Sequence, residues 1–441
     1  MKKQIAPIMF AAMLSQPALA QQSWTLSQCA DYAVEHNISI KQKDNQRKQR
    51  KIQLSTAKNL RLPDLSATAS ESFSFGRGLT HDNTYTDRST NSTSFGLSTN
   101  IPLFTGFQIP NQIKLNQLNL DAATQDLEKA KNDIRMEVAK AYVQILYDTE
   151  IAEVAHRQIA IDSSQVARLE AFVKNGKASQ TELSQQQSAL AQAHLTATQA
   201  DNNLQLSLLA ITQLLELPSP EGFSIVRPDV STASNTFPTG LSPDAIYQEA
   251  LMLKPEVQAE QLRVTATERS IDIAKAGLYP TLNFNASLQS NYYKTNGMKA
   301  DPFATQMKNN FSQYIGLNLN VPIFSRFRVR NNIRSARIDH ENQLLQLENV
   351  KKTLYKEIQQ VFYNARAALS KYQSSEAAAL SSSDAFKLMQ AKYENGKANM
   401  TEFNEAKNNF LKAESDVVQA RYELIYQTAL LDFYRGRTLQ F

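Results

Sequence analysis

Asn175-Gly-Lys-Ala178 recurs as Asn395-Gly-Lys-Ala398, and Ile101-Pro-Leu-Phe104 recurs as Val321-Pro-Ile-Phe324. The copies stand about 220 residues apart, which marks an internal duplication. From Gly96 and Gly316 through to Thr181-Glu182 and Thr401-Glu402 the offset does not change. Such constancy is what rigid, insertion-free rods leave in a sequence. Glycine and proline are absent from 111–175, 177–217, 323–395 and 397–435, so four long helices are predicted. At about 1.5 Å per residue, the first and third would reach roughly 97 and 110 Å. An ordinary compact globule is excluded.

Working outward, each half reads helix, strand, loop, strand, long helix, turn, helix. Helical character from Leu26 to Leu62 ends at Pro63, after which Leu65, Ala67, Ala69, Phe73 and Phe75 alternate with Ser66, Thr68, Ser70, Ser72 and Ser74. Beyond a polar loop expected around Arg77 to Asn91, Phe95, Leu97, Ile101 and Leu103 alternate with Ser94, Gly96, Ser98 and Asn100. In the second half a helix over 243–278 precedes Leu282, Phe284, Ala286 and Leu288, then Ile315, Leu317, Leu319, Val321 and Ile323, set against polar alternates such as Asn283, Asn285, Asn318 and Asn320. Period two with one greasy face is the pattern of membrane-barrel strands. Four strands cannot close a barrel, and an open edge is intolerable in lipid, so the chain must oligomerise. Two copies would give eight strands and a filled lumen; three give twelve and a passage, which the polar face favours. The short helical stretches of each half together match a long one, and stripes such as Ile134, Val138, Ala141, Ile145 and Leu354, Ile358, Val361, Ala365 suit side-by-side packing.

The first residues carry Lys2 and Lys3, an apolar run from Ile5 to Leu14 and Ala18-Leu-Ala20, which predicts a cleaved signal over 1–20. The expected division is a first repeat over 21–217, a proline-rich linker over 218–242 crossing the outside of the helices, and a second repeat over 243–441. Ser242-Pro243-Asp244 reads as an N-cap with proline opening the helix. Thr25-Leu-Ser-Gln28 reads as a capping box, which favours Cys29 as a small buried residue over a lipid anchor. With Lys2 and Lys3 removed from the 47 basic residues, 45 face 42 acidic ones. That balance gives no argument for nucleic acid. His36, His81, His156, His194 and His340 show no metal-ligand spacing, and no serine or cysteine lies in a nucleophile motif. No catalytic residue, metal or cofactor is expected, and a secreted hydrolase is set aside for want of a constellation.

The repeated order of elements, the Pro102-Leu-Phe-Thr-Gly106 stretch and the glycine turn followed by Thr-Glu in both halves resemble the TolC-like outer-membrane efflux proteins over essentially the whole mature chain. Arg326 departs from Gly106, and Ile38 from Pro255. The resemblance implies a mainly α fold with a small transmembrane β part. Three chains would share a twelve-stranded barrel in the outer membrane lipid of a Gram-negative bacterium, with a long α-helical barrel in the periplasm. It also implies a homotrimer, a periplasmic adaptor and an inner-membrane transporter as partners, and a passive exit duct for cargo in efflux or type I secretion. The alternative is a periplasmic coiled-coil scaffold or adaptor with a soluble β domain.

Gly176 and Gly396 would form the periplasmic tips. Glu182 and Glu402 follow them at matching positions, with Glu405 one turn beyond. By resemblance these acids and Tyr393 line a periplasmic gate, where threefold rings of carboxylate would attract cations. The capping-box spacings Ser179-x-x-Glu182 and Asn399-x-x-Glu402 offer a plainer role for the first two, and helix packing does so for Tyr393. Lys174, Asn175, Lys177, Lys392, Asn395 and Lys397 complete the tips. Their lysines are expected to pair with neighbouring carboxylates or to dock the adaptor.

Overall fold

The computed structural model describes residues 23–79, 82–228 and 241–439. The expected signal and the middle of the linker lie outside the described residues. The duplication is written in the helix lengths. α1 (Leu26–His36) and α5 (Pro243–Leu253) have 11 residues each, and α2 (Ile38–Asn59) and α6 (Pro255–Ala276) have 22. α3 (Gln108–Lys174) and α8 (Arg328–Glu394) have 67, and α4 (Gln180–Leu214) and α9 (Met400–Tyr434) have 35. The four strands are β1 (Ser66–Leu79), β2 (Tyr85–Thr105), β3 (Thr281–Thr295) and β4 (Ser312–Asn320). A short helix, α7 (Phe303–Asn309), lies between β3 and β4.

The chain divides into two compact units. One, made of residues 41–130 and 251–356, holds the sheet. Its strands run antiparallel in the order β1-β2-β3-β4, so the two halves of the duplication are zipped together at β2 and β3. The register sets one apolar row across all four strands. Ala69 faces Phe95, Leu97 faces Leu288, Ile101 faces Phe284, and Phe284 faces Leu317. On the other face Ser66 pairs with Ser98, and Ser98 with Ser287. Hydroxyl contacts of 2.9 Å (Ser66–Ser98) and 2.7 Å (Ser70–Ser94) cross that face. Because side chains alternate with a period of two, a one-residue slip would turn every serine to the apolar side.

Four expectations are corrected here. The helices predicted over 26–62 and 243–278 each break in two. In the second half Pro255 forces Lys254 into an extended conformation (ψ 122). In the first half Ile38 has no such constraint, and the break is built from side chains. Asn37 Nδ2 donates to the Leu214 carbonyl (3.1 Å), its Oδ1 accepts from Ser39 N–H (2.9 Å), and Glu216 accepts from Ile38 N–H (3.0 Å). Second, most of the loop expected over Arg77 to Asn91 is strand. The backbone ladder continues through Arg77 opposite Asp87 up to Leu79 opposite Tyr85. Apart from the opposed Leu79 and Tyr85 it carries polar side chains and glycine on both faces, so no alternation advertised it. Third, a bulge between Pro102 and Phe104 skips Leu103, and Phe104 takes the place opposite Leu282. Fourth, α7 was not foreseen; it is too short to show a period.

The other unit comprises residues up to 40, 131–250 and 357–441. Its core is narrow and rich in alanine and aliphatic residues, among them Val138, Ile145, Leu146, Ile358 and Ala365. The Thr25–Gln28 capping box forms, with contacts of 2.9 and 3.3 Å, and Cys29 behind it is fully buried. Trp24 bridges to Ile225 of the linker, and the hydroxyl of Tyr142 reaches the carbonyls of Trp24 and Val226. The start of the linker is thereby held to the first residues of the described chain.

The helical tips as candidate functional site

Each long helix ends in the same way. Gly176 (φ 65) and Gly396 (φ 69) are left-handed, a conformation in which a Cβ is strained. Lys177 N–H reaches back to the Phe172 carbonyl and Lys397 N–H to that of Lys392, both at 2.8 Å. Gly176 and Gly396 donate to Val173 and Tyr393, both at 3.0 Å. These are paired Schellman closures, which satisfy carbonyls that a helix end would leave open. Asn175 and Asn395 add side-chain bonds of 2.7 Å to the carbonyls of Ala171 and Ala391. A Cβ at either glycine would meet nothing within 4 Å, so backbone geometry alone demands the glycine.

The helices that follow open on full capping boxes. Ser179 N–H donates to Glu182 (3.0 Å) and Glu182 N–H to the Ser179 hydroxyl (3.2 Å). Asn399 N–H donates to Glu402 (2.9 Å) and Glu402 N–H to Asn399 Oδ1 (2.9 Å). One oxygen of each carboxylate is thus engaged by backbone. Glu405 is exposed and makes no hydrogen bond or ion pair with another described residue. Lys174, Lys177, Lys392 and Lys397 are also exposed, and none of them forms an ion pair with another described residue.

Beneath the turns the two hairpins share one core. Val166 and Leu169 of α3, Leu183 of α4, Phe386 of α8, and Met400 and Phe403 of α9 are buried together. Tyr393 packs onto this cluster, stacked on Phe403 at 4.8 Å between centroids. Burial raises its phenol pKa; the Arg168 guanidinium opposes that rise and Glu182 adds to it. Tyr393 of the α8–α9 hairpin thus feels Glu182 of the α3–α4 hairpin, whereas Glu402 and Glu405 follow Tyr393 on its own hairpin.

Sequence reasoning missed the polar residues that join the hairpins. Arg168 donates to the Glu394 carbonyl (3.0 Å) at the end of α8 and lies over Phe172 (5.2 Å) and Tyr393 (5.6 Å). It meets the negative end of the α8 dipole. Deeper in, Lys407 of α9 pairs with Asp162 of α3, with 2% and 0% of their side chains exposed. Gln186 of α4 donates to the same carboxylate oxygen at 2.8 Å. Farther along, Arg157 pairs with Glu414, while Arg421 and Tyr422 both hold Glu150. A signal for the buried pair did exist. The duplication places Ser382 against Asp162 and Gln187 against Lys407, so both charges break the repeat.

The chemistry of these surfaces is that of packing and charge. Among the described residues no three His, Cys, Asp or Glu side chains gather as a metal site, and no helix is long and apolar enough to cross a membrane. A family model described as outer membrane efflux protein matches residues 30–216 and 246–437. The chain belongs to the outer membrane efflux protein family. The fusaric acid resistance protein FusA of Burkholderia cepacia is 27% identical over 252 residues, which are 57% of this chain and 45% of FusA. The chain thus spans about half the length of that relative. The solved structure of CusC superposes with a TM-score of 0.78 at 16% identity, over 94% of this chain and 92% of CusC. That of the outer membrane protein VceC of Vibrio cholerae gives 0.75 at 17%, over 94% and 97%. The mainly helical fold with four antiparallel strands, expected from the sequence, is the fold of these outer-membrane proteins.

Proposed function

We propose that this efflux-family protein is a passive exit duct in the outer membrane. Three copies share a twelve-stranded barrel, and the helical hairpins reach through the periplasm to an adaptor and an inner-membrane transporter. One observation carries this reading: the sheet ends on two unpaired edges, β1 and β4, with a row of large apolar side chains facing outward. Phe75, Ile315, Leu317 and Leu319 are 79, 74, 67 and 64% exposed. A soluble β domain would bury such a row, whereas lipid accepts it and a closed ring removes the edges. The serine- and asparagine-lined face then lines the passage. In this reading the energy for transport comes from the partner.

Detergent extracts of outer-membrane fractions, run unheated on a denaturing gel, test this. A heat-sensitive band at three times the mature mass is expected. A monomer released without detergent would return the chain to the periplasmic scaffold reading.

At the tips we assign Glu182 and Glu402 first to capping, and Glu405 to the carboxylate ring of the gate beside Tyr393. The tip lysines, without an ion pair among the described residues, serve contacts with the adaptor or between copies. Each exposed pair would contribute only about 0–1 kcal/mol, so closure needs several together. Planar-bilayer recording separates the roles. Glu405→Ala should weaken cation selectivity, and unchanged conductance and selectivity would remove Glu405 from the gate.

A further inference from the structure

The duplication says how the sheet closes on a second copy. Halves that share sequence offsets and helix lengths present equivalent edges, so the junction observed between β2 and β3 is a template for the unseen junction between β4 and the partner's β1. Gly96 and Leu97 of β2 match Gly316 and Leu317 of β4, and Pro63 and Leu65 before β1 match Pro280 and Leu282 of the β3 segment. Thr99 of β2 faces Ala286 of β3. Carried through the repeat, that pair becomes Leu319 against the partner's Ala69. Likewise Phe95 opposite Ser290 becomes Ile315 against the partner's Phe73, and Asn91 opposite Lys294 becomes Phe311 against the partner's Arg77.

Face parity provides an independent check. The apolar residues of β1 and of β4 must fall on one side of the closed sheet, and a slip of one residue would mix the faces. The transferred register keeps Ala69 and Phe73 in line with Leu319 and Ile315. Glu71, the acid on this row, already accepts from the hydroxyl of Thr93. The template applies above Asn320. Below it β4 stops, whereas β2 runs on to Thr105. There Gly106 lies so close to α6 that a Cβ would come within 2.6 Å of the Ala276 carbonyl. Arg326, at the matching position, cannot approach as closely.

α7 completes the junction. β4 has 9 residues and β3 has 15, and the β3–β4 pairing ends at Gln289. Residues 290–295 of β3 therefore have a free edge above β4. α7 covers it. The side chain of Gln306 imitates a strand, accepting from Tyr293 N–H (3.1 Å) and donating to the Tyr293 carbonyl (3.0 Å). Asn310 donates to the Asn291 carbonyl and Ser290 to that of Met307, both at 2.6 Å. In the transferred register the partner's β1 also outruns β4, by Arg77–Leu79. Phe311 and Leu79, 51% and 47% exposed, stand on the two sides of that gap.

We propose that a second copy of this chain adds its β1 to β4 in the β2–β3 register, Leu319 opposite Ala69, and that α7 replaces β4 above Ser312 as the seal between copies. This rests on the shared-barrel reading. Strands about 4.8 Å apart put opposite residues within disulfide reach, whereas residues 69 and 319 of one chain are three strand spacings apart and cannot join. Full-length double variants carrying Leu319→Cys with Ala67→Cys, Ala69→Cys or Glu71→Cys are oxidised mildly in outer-membrane fractions and run without reductant, beside the single variants. The Ala69 pair should give a ladder of covalent dimer and trimer, at least tenfold stronger than the other two. A stronger ladder from Ala67 or Glu71 overturns the register. An intact heat-sensitive trimer with no ladder from any pair overturns the proposal but leaves the shared barrel. Loss of both trimer and ladder in a variant is checked with its serine counterpart, and no trimer even in the unaltered protein sinks the barrel itself. Phe311→Cys with Arg77→Cys tests the junction above Ser312, where Phe311 joins the end of α7 to β4: a ladder is expected, and its absence when the Ala69 pair links removes this stretch from the seal.

Discussion

Replacing Lys407 with methionine should loosen the two helical hairpins more than any exposed ion pair can. The Nζ of Lys407 and the Asp162 carboxylate meet with almost no solvent access, and Gln186 is the other donor to that oxygen. Lys407→Met preserves length and volume but leaves a buried carboxylate with an amide for company. Breaking one side of a buried pair costs about 3–5 kcal/mol. The population of opened hairpins should then rise by roughly a hundredfold to several thousandfold. Replacing all three groups, Asp162→Leu, Gln186→Leu and Lys407→Met, removes the desolvated charges together and should recover most of the loss. The assay is thermolysin cleavage within α9 in the detergent-solubilised protein, at protease levels where cleavage follows the opened fraction. Wild-type cleavage of Lys407→Met, or a triple variant cut faster than the single, would refute the reasoning.

Burial pushes the Cys29 thiol up to about 12, so at pH 8 only about one thiol in ten thousand is ionised. Maleimide should leave it unlabelled in the folded protein and label it fully in denaturant; rapid native labelling would show that α1 is not packed as described. Burial likewise raises the Asp148 carboxyl, against hydrogen bonds from Gln144 and Ser207. The folded state then holds this proton more tightly than the unfolded chain, whose carboxyl ionises near 3.8. The group weakens folding above that pH and is without effect below it. Asp148→Asn should therefore raise the melting temperature at pH 7 and not at pH 3, and an equal shift at both would point to packing instead. Gly396→Ala forces a Cβ into a left-handed turn and should cost about 1–2 kcal/mol, read as a lowered melting temperature, with Gly396→Asn milder.

The sequence by itself determined the architecture, because that information is periodic and repeated. Missing breakers set the four long helices, period two set the strands, and the recurrence of Asn-Gly-Lys-Ala placed both turns. It also placed Glu182 and Glu402 in capping boxes, since capping is a matter of spacing along one helix start. Other features depend on residues distant in the chain. Asn37 ends α1 only because Leu214 and Glu216 come to meet it, and the upper hairpin of β1 and β2 forms through backbone pairing that leaves no pattern in polar side chains. α7 exists as a cover for an edge that β4 leaves open. Arg168 finds the end of α8, and Asp162 and Lys407 become a buried pair, only once the hairpins pack. Local rules are legible in order along a chain, whereas the cost and use of a buried charge are fixed only when tertiary packing decides what surrounds it.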